Sequence, residues 1–317
     1  MKHEKVVIAL GGNAIKQAHQ KGTTEEQFNN VDVTAQQIAA ISKAGYEIVL
    51  THGNGPQAGS LLIQQEEAEG LVPGQTLAVC GAMTQGQIGW MLQNKLDFHL
   101  KNMGVPAKVA TIVTQVVVSE DDPDFQDPTK PVGPFYTEQE AKHLAETKGY
   151  VVREVKPGTE KSWRRVVPSP EPIDIVEHEA INALVEQDFV VIASGGGGIP
   201  VGAAGDGSYY GIEAVIDKDR AGFKLAQVVK ADKFVILTDV EKVCLNFNTP
   251  EQKDLDTLTI AEAEKYFEDG HFLKGSMGPK VQAAVRFVKW SGKEAIITSL
   301  HKALDAVAGK TGTHIVP

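Results

Sequence analysis

An apolar run that stops in four consecutive glycines, Ile192-Ala193-Ser194-Gly195-Gly196-Gly197-Gly198, constrains this chain more than any other feature. Glycines at a strand end leave bare backbone N–H groups in a loop. They also let the main chain take positive φ and approach an anion closely. The pattern occurs twice more. Val6-Val7-Ile8-Ala9-Leu10 runs into Gly11-Gly12-Asn13-Ala14, and Glu47-Ile48-Val49-Leu50-Thr51-His52 runs into Gly53-Asn54-Gly55-Pro56. One such loop alone is equally well a tight turn. Three of them point to a single crevice lined by backbone donors and suited to phosphate.

The bulk of the chain limits how that phosphate is met. Its 317 residues suffice for one large or two ordinary domains, and 42% hydrophobic residues provide a sizeable core. A net charge of −10 argues against nucleic acid, which requires clustered positive charge. The anion must therefore be held by local lysines, backbone donors and a metal ion. No run reaches the ~20 apolar residues of a membrane span. Met1-Lys2-His3-Glu4-Lys5 leads into a strand without an apolar signal region. Cys80 and Cys244 lack metal-ligand spacing. The expectation is a cytoplasmic protein with free thiols and no membrane partner.

Short apolar runs alternating with helical periodicity predict a parallel sheet covered by helices. Strands are expected at 5–10, 46–51, 107–118, 189–194, 212–216, 233–238 and 294–298. Helices are expected near 29–44, within 59–76, and at 77–103, 218–231, 259–267 and 279–291, with Gly45 as a C-terminal stop. Thr259 with Glu262 and Thr137 with Glu140 are capping-box pairs. From Glu120 to Pro172 the composition turns to Asp, Pro, Lys and Glu. Pro128–Pro134 is too proline-rich for a helix or central strand. This stretch is expected to be an inserted subdomain acting as a lid, or a solvated excursion.

Two familiar signatures fail on context. Gly53-Asn54-Gly55-Pro56-Gln57-Ala58 fits a dinucleotide fingerprint, but no second strand ending in an acid follows. Gly309-Lys310-Thr311 resembles the end of a P-loop, but it sits at the chain's end and not between a strand and a helix. The lysines are more telling. Asp217-Lys218-Asp219 follows an apolar run and opens a helix, which suits either a solvated helix start or a fixed positive charge for phosphoryl transfer. Lys280, after Gly275-Ser276-Met277-Gly278-Pro279, opposes the dipole of the helix it begins, a conflict that an anionic ligand would resolve. Leu237-Thr238-Asp239 is a further polar strand exit, equally well a capped turn. His52 has no second histidine or nucleophile beside it and reads as a structural hydrogen-bonding residue. Trp163-Arg164-Arg165 suits phosphate or a brace for the inserted segment alike.

Taken together, these residues resemble the carbamate kinases of the amino-acid-kinase family from end to end. Ala9–Ala14, Thr51–Gln57 and Ala82-Met83-Thr84-Gln85-Gly86-Gln87-Ile88-Gly89 resemble the family's first loop, second loop and long helix. Asp127–Tyr136 and Trp163–Pro170 resemble a protruding subdomain that other amino-acid kinases lack. The glycine run, Ala214–Asp219 and Gly275–Lys280 complete the match. One departure from the wider family is that the first strand carries no lysine before its paired glycines. Lys130 of the inserted segment is the natural replacement.

The resemblance implies an α/β fold, a three-layer αβα sandwich around a mainly parallel sheet, with residues 120–172 inserted and protruding. It implies a homodimer. It also implies reversible phosphoryl transfer between Mg-ATP and carbamate, giving ADP and carbamoyl phosphate, in the ATP-forming direction of arginine catabolism. Biosynthetic carbamoyl phosphate formation, a kinase for another small carboxylate and a non-catalytic sensor are the alternatives. Lys130, Lys218, Asp219 and Lys280 are expected to be catalytic, with Asp219 orienting Lys218 and Lys280. Gly11, Gly12, Asn13, Gly53 and Asn54 are assigned to the acceptor. Gly196, Gly197, Asp217, Thr238, Asp239, Gly275, Met277 and Pro279 are assigned to the nucleotide. Mg²⁺ is expected to be carried mainly by the nucleotide phosphates.

Overall fold

The computed structural model describes residues 3–272 and 277–317. Helices follow in the order α1 (Thr24–Lys43), α2 (Gly55–Ala68), α3 (Leu77–Asn102), α4 (Glu138–Lys148), α5 (His178–Val185), α6 (Lys218–Val228), α7 (Ile260–Glu268), α8 (Met277–Ser291) and α9 (Ala303–Val307). An eight-stranded sheet runs in the order Thr257–Thr259, Thr313–Val316, Ala295–Ser299, Lys233–Thr238, Lys5–Leu10, Glu47–His52, Phe189–Ile192, Lys108–Thr111. Only the pairing of Ala295–Ser299 with Thr313–Val316 is antiparallel.

The three layers follow from strand alternation. Val7, Ala9, Val49, Val191, Phe234 and Ile236 point to one side, into a core with α5, α6 and α8. Their neighbours Val6, Ile8, Leu10, Ile48, Leu50 and Val235 point to the other, into a core with α1, α3 and α9. A strand buried on both faces reads as a continuous apolar run, which is why these strands are plain in the sequence. Helix starts are equally local. Thr23 with Glu26, Thr137 with Glu140 and Thr259 with Glu262 form complete capping boxes.

Two expected strands are corrected. Residues 107–118 do not form one strand. Lys108–Thr111 joins the large sheet, while Gln115–Val117 joins a four-stranded sheet with Asp174–Ile175, Ile199–Ala203 and Tyr209–Gly211. The break falls at Thr114, whose N–H donates to Gln85 Oε1 at 2.7 Å and whose carbonyl accepts from Gln85 Nε2 at 3.1 Å. The side-chain amide takes the N–H that a ladder needs, and shares the carbonyl with Ile199 N–H at 2.9 Å. Residues 212–216 are not a strand either. Ile212, Ala214 and Ile216 are buried, but the pairing of the short strand Tyr209–Gly211 ends after one more bond, Ile212 N–H to Pro200 O at 3.0 Å, because Pro200 has no N–H to return. The helix expected within 59–76 is α2, which begins earlier, at Gly55, with Pro56 in its first turn.

Within 120–172, Lys130–Tyr136, Trp163–Val167 and Val152–Glu154 form a separate three-stranded antiparallel sheet backed by α4. The proline-rich strand is at its edge, where a missing N–H costs no ladder bond. No described helix is long and apolar enough to cross a membrane. Cys80 and Cys244 are both free thiols.

Candidate active site

The glycine-bearing strand ends meet at one end of the large sheet. Asn54 ends the second loop and donates from Nδ2 to Thr84 Oγ1 at 2.8 Å. Gly196, at φ +68°, packs on that amide: a Cβ there would lie 2.2 Å from Asn54 Nδ2. A Cβ on Gly197 would lie 2.3 Å from the carbonyl oxygen of Ile216. Glycine is therefore required where the third loop closes on its neighbours. Gly196→Ala should destabilise the protein by about 1–3 kcal/mol, from left-handed backbone strain and the displaced Asn54. Denaturant unfolding checks this, and an unchanged midpoint would show that the loop gives way.

The turn uses some of its own donors. Gly197 N–H donates to Ser194 O at 3.0 Å, and Gly198 N–H to Gly195 O at 3.1 Å. Gly196 and Gly198 line the cavity outside, whereas Gly197 does not. Of the two glycines assigned to a nucleotide, Gly196 is the one on the wall.

The charged residues are placed by the start of α6. Asp217 caps this helix, accepting on Oδ1 from the N–H groups of Asp219 at 2.9 Å and Arg220 at 3.4 Å. That fixes the first turn, and with it Lys218 and Asp219. Lys218 Nζ donates to Asp219 Oδ1 at 2.5 Å, and Asp219 is only 2% exposed. The stem of Lys218 runs beside Gly53, within 3.2 Å of where a Cβ would stand. The other Asp217 oxygen, Oδ2, accepts from Lys130 Nζ at 3.0 Å, across 87 positions of sequence. Burial alone would raise the Asp217 pKa. Lys130, the Asp219 N–H and Lys218 outweigh it and hold the carboxyl down at about 2. The stabilisation is present above the ordinary carboxylate range and is lost as pH falls through about 2.

Lys280 stands in the first turn of α8, on the same cavity. Burial, then the charge of Lys218, push its pKa down, while Asp219, Asp217 and Asp239 oppose them. Asp219 thus holds Lys218 directly and reaches Lys280 through its charge. His52 is buried, which pulls its pKa down to about 4, and its Nδ1–H donates to Gly53 O at 3.0 Å. A neutral ring in that bond is a structural support.

The cavity measures about 350 Å³ and brings together Gly53, Asn54, Lys130, Gly196, Asp217, Lys218, Asp219, Pro279 and Lys280. Past Lys130, Asp217 and Pro279 it adjoins a larger one of about 830 Å³ that reaches Arg220 and Arg286. Gly11, Asn13, Thr238 and Asp239 line a different cavity, with Ser299 and His301. Gly12 lies between the two, its N–H nitrogen 4.0 Å from a Cβ built on Gly53. Met277 begins α8, and Gly275 lies outside the described residues. One charged lining residue had no assigned role: Arg164, from the inserted sheet. Its Trp-Arg-Arg setting was visible in the sequence, but nothing local separates a ligand contact from a brace. Among the described residues no three His, Cys, Asp or Glu side chains gather as a metal site.

The amino acid kinase family model matches residues 4–299. The carbamate kinase of Pyrococcus furiosus is 53% identical over 316 residues, covering 99% of each chain. That of Clostridium perfringens is 46% identical over 316 residues, covering 98% of this chain and 99% of the other. The structure of carbamate kinase from Giardia lamblia bound to AMP-PNP superposes with a TM-score of 0.93 at 46% identity, covering 99% of this chain and 98% of that one. A UMP kinase from Ureaplasma parvum, 15% identical with a TM-score of 0.53, shares the fold alone.

Proposed function

The chain belongs to the amino acid kinase family and is a phosphotransferase, and on that premise we propose that it moves a phosphoryl group between Mg-ATP and carbamate. The products are ADP and carbamoyl phosphate. The observation that carries the reading is the convergence of Lys130, Lys218 and Lys280 on one cavity at the glycine-bearing strand ends, with Asp217 and Asp219 holding two of them.

Carbamate needs no general base, because its oxygen is already charged. The difficulty is bringing two anions into line. Lys218, fixed by the cap of α6 and its contact with Asp219, would meet the transferring phosphoryl group. Lys280 and Lys130 would meet it from α8 and from the inserted sheet. Fixed charges in a closed site stabilise a spread negative charge without reorganising. Asn54, Gly53 and Gly12 would meet the acceptor. Gly196, Asp217 and Pro279 would meet the nucleotide, which would extend into the larger cavity. Asp217 and Asp219 are both engaged by lysines, so these residues suit a Mg²⁺ carried by nucleotide phosphates rather than by the protein. Such an ion would neutralise phosphate charge.

Carbamoyl phosphate is a mixed anhydride and a strong phosphoryl donor, so the ATP-forming direction is the one proposed. The test is ADP with carbamoyl phosphate, following ATP. Absence of ATP formation, with turnover of ATP on another small carboxylate, would overturn the reading.

The inserted sheet would act as a lid. It is held to the body by Lys130–Asp217, by Tyr136 O–H donating to Glu66 at 2.7 Å, and by Arg165–Glu213. A homodimer is also proposed, joined through α3. Val79, Met83, Trp90 and Phe98 recur on one exposed face of this helix, and Trp90 is 58% exposed. Trp90→Glu should convert a dimer to a monomer in light scattering. A variant that stays dimeric would move the interface elsewhere, and a monomeric parent protein would remove it.

A further inference from the structure

Arg164 lies in the strand Trp163–Val167 and lines the same cavity as the three lysines. Its neighbour Arg165 is paired with Glu213 at 2.7 Å and stacks over Tyr150. Arg164 has no carboxylate within ion-pair distance among the described residues; its contacts are neutral. Nη2 donates to Gly133 O at 2.7 Å, and the guanidinium sits 5.1 Å from the centre of the Phe135 ring. Nε is buried with no partner. Burial lowers its pKa, yet an arginine stays charged in a protein. A half-buried cation without a counter-ion is costly, and a structural brace would not need one.

The surroundings say which anion fits. Lys130 and Lys218 each face an aspartate at the phosphoryl end of the cavity. The same cavity is lined by Gly55 and Ala58 of α2, a helix whose N-cap, Asn54, makes no side-chain cap bond. That first turn offers N–H groups and a positive dipole end. Leu62 and Val132 add apolar lining to the same cavity.

We propose that Arg164 is a substrate-contacting residue that grips the carbamoyl end of the acceptor, opposite the first turn of α2. The proposal rests on carbamate being the acceptor. A guanidinium presents parallel donors that match a planar group with two oxygens, which an ammonium does not. During transfer one carbamate oxygen bonds to phosphorus as the bond from that phosphorus to the ADP oxygen breaks. The other oxygen stays a carbonyl on Arg164, and no proton moves. Arg164 therefore orients the carbamate so that its other oxygen faces the phosphoryl group.

The test uses the full chain with Arg164→Met and Arg164→Lys. KM for carbamoyl phosphate, kcat, and ADP Kd by calorimetry are measured, with thermal melting as control. Arg164→Met should raise KM for carbamoyl phosphate about 30-fold, in keeping with loss of a charge-assisted bond, and leave ADP Kd within about twofold. Arg164→Lys should recover only part of that loss. Normal KM for carbamoyl phosphate in both variants overturns the proposal. So do equal losses for both substrates with a lower melting temperature, which would mark a brace. If the parent protein makes no ATP from carbamoyl phosphate, the carbamate reading fails first and the arginine assignment falls with it.

Discussion

Lys218→Ala is expected to lower kcat by at least ~10²-fold, the effect of removing one preorganised charge from a developing phosphoryl transition state. The structure adds a second consequence. Asp219 is almost fully buried and Lys218 is its ion-pair partner. Truncating the lysine leaves that carboxylate only the charge of Lys280, and removing one partner of a buried pair typically costs about 3–5 kcal/mol. A drop in activity alone would therefore be ambiguous. Lys218→Ala combined with Asp219→Asn removes both charges and should regain most of the stability, while kcat stays low. Melting temperature and single-turnover rate separate the two effects. If the double variant recovers both stability and rate, Lys218 serves only to neutralise Asp219, and the phosphoryl contact lies elsewhere.

What was legible in the sequence tracks how local its cause is. The strand Lys5–Leu10 announces itself because both faces are buried, and α7 because Thr259 and Glu262 satisfy each other's backbone. The strand break at Thr114 is not local, since its cause is Gln85, 29 positions away. The hairpin joining Ile199–Ala203 to Tyr209–Gly211 was missed although Gly205-Asp206-Gly207-Ser208 is an ordinary turn signal. The neighbouring apolar Ile212, Ala214 and Ile216 drew the strand assignment instead.

The site divides in the same way. Lys218 and Asp219 are readable because the helix cap that places them is contiguous with them. The partner of Asp217 is not, because Lys130 arrives from a different sheet. The sequence marked Lys130 only through an absence, the missing lysine of the first strand. Likewise, the spread of Gly11, Asn13, Thr238 and Asp239 into a second cavity depends on how two strand exits lie side by side. Each exit read alone looks the same as those at the main cavity.

Lys130→Ala is expected to lower kcat by about 10²-fold and to change ADP Kd by less than about threefold. A charge that acts mainly in the transition state behaves that way. The Asp217 pair offers a competing explanation. Without Lys130, the Asp217 carboxyl loses its strongest favourable charge and its pKa climbs from about 2 toward the ordinary range. The cap of α6 would then weaken, and Lys218 would shift with it. A double-mutant cycle with Asp217→Asn separates the two. The asparagine keeps an oxygen for the N–H groups of Asp219 and Arg220 and carries no charge for Lys130 to offset. If Lys130 works through Asp217, removing it in the Asp217→Asn chain has no further effect on kcat. If it meets the phosphoryl group, the full loss persists there. A variant with normal kcat and both KM values would leave Lys130 as a solvated lysine between two prolines. A loss confined to nucleotide affinity would make it a ground-state contact, and the missing first-strand charge would then have no replacement from the inserted sheet.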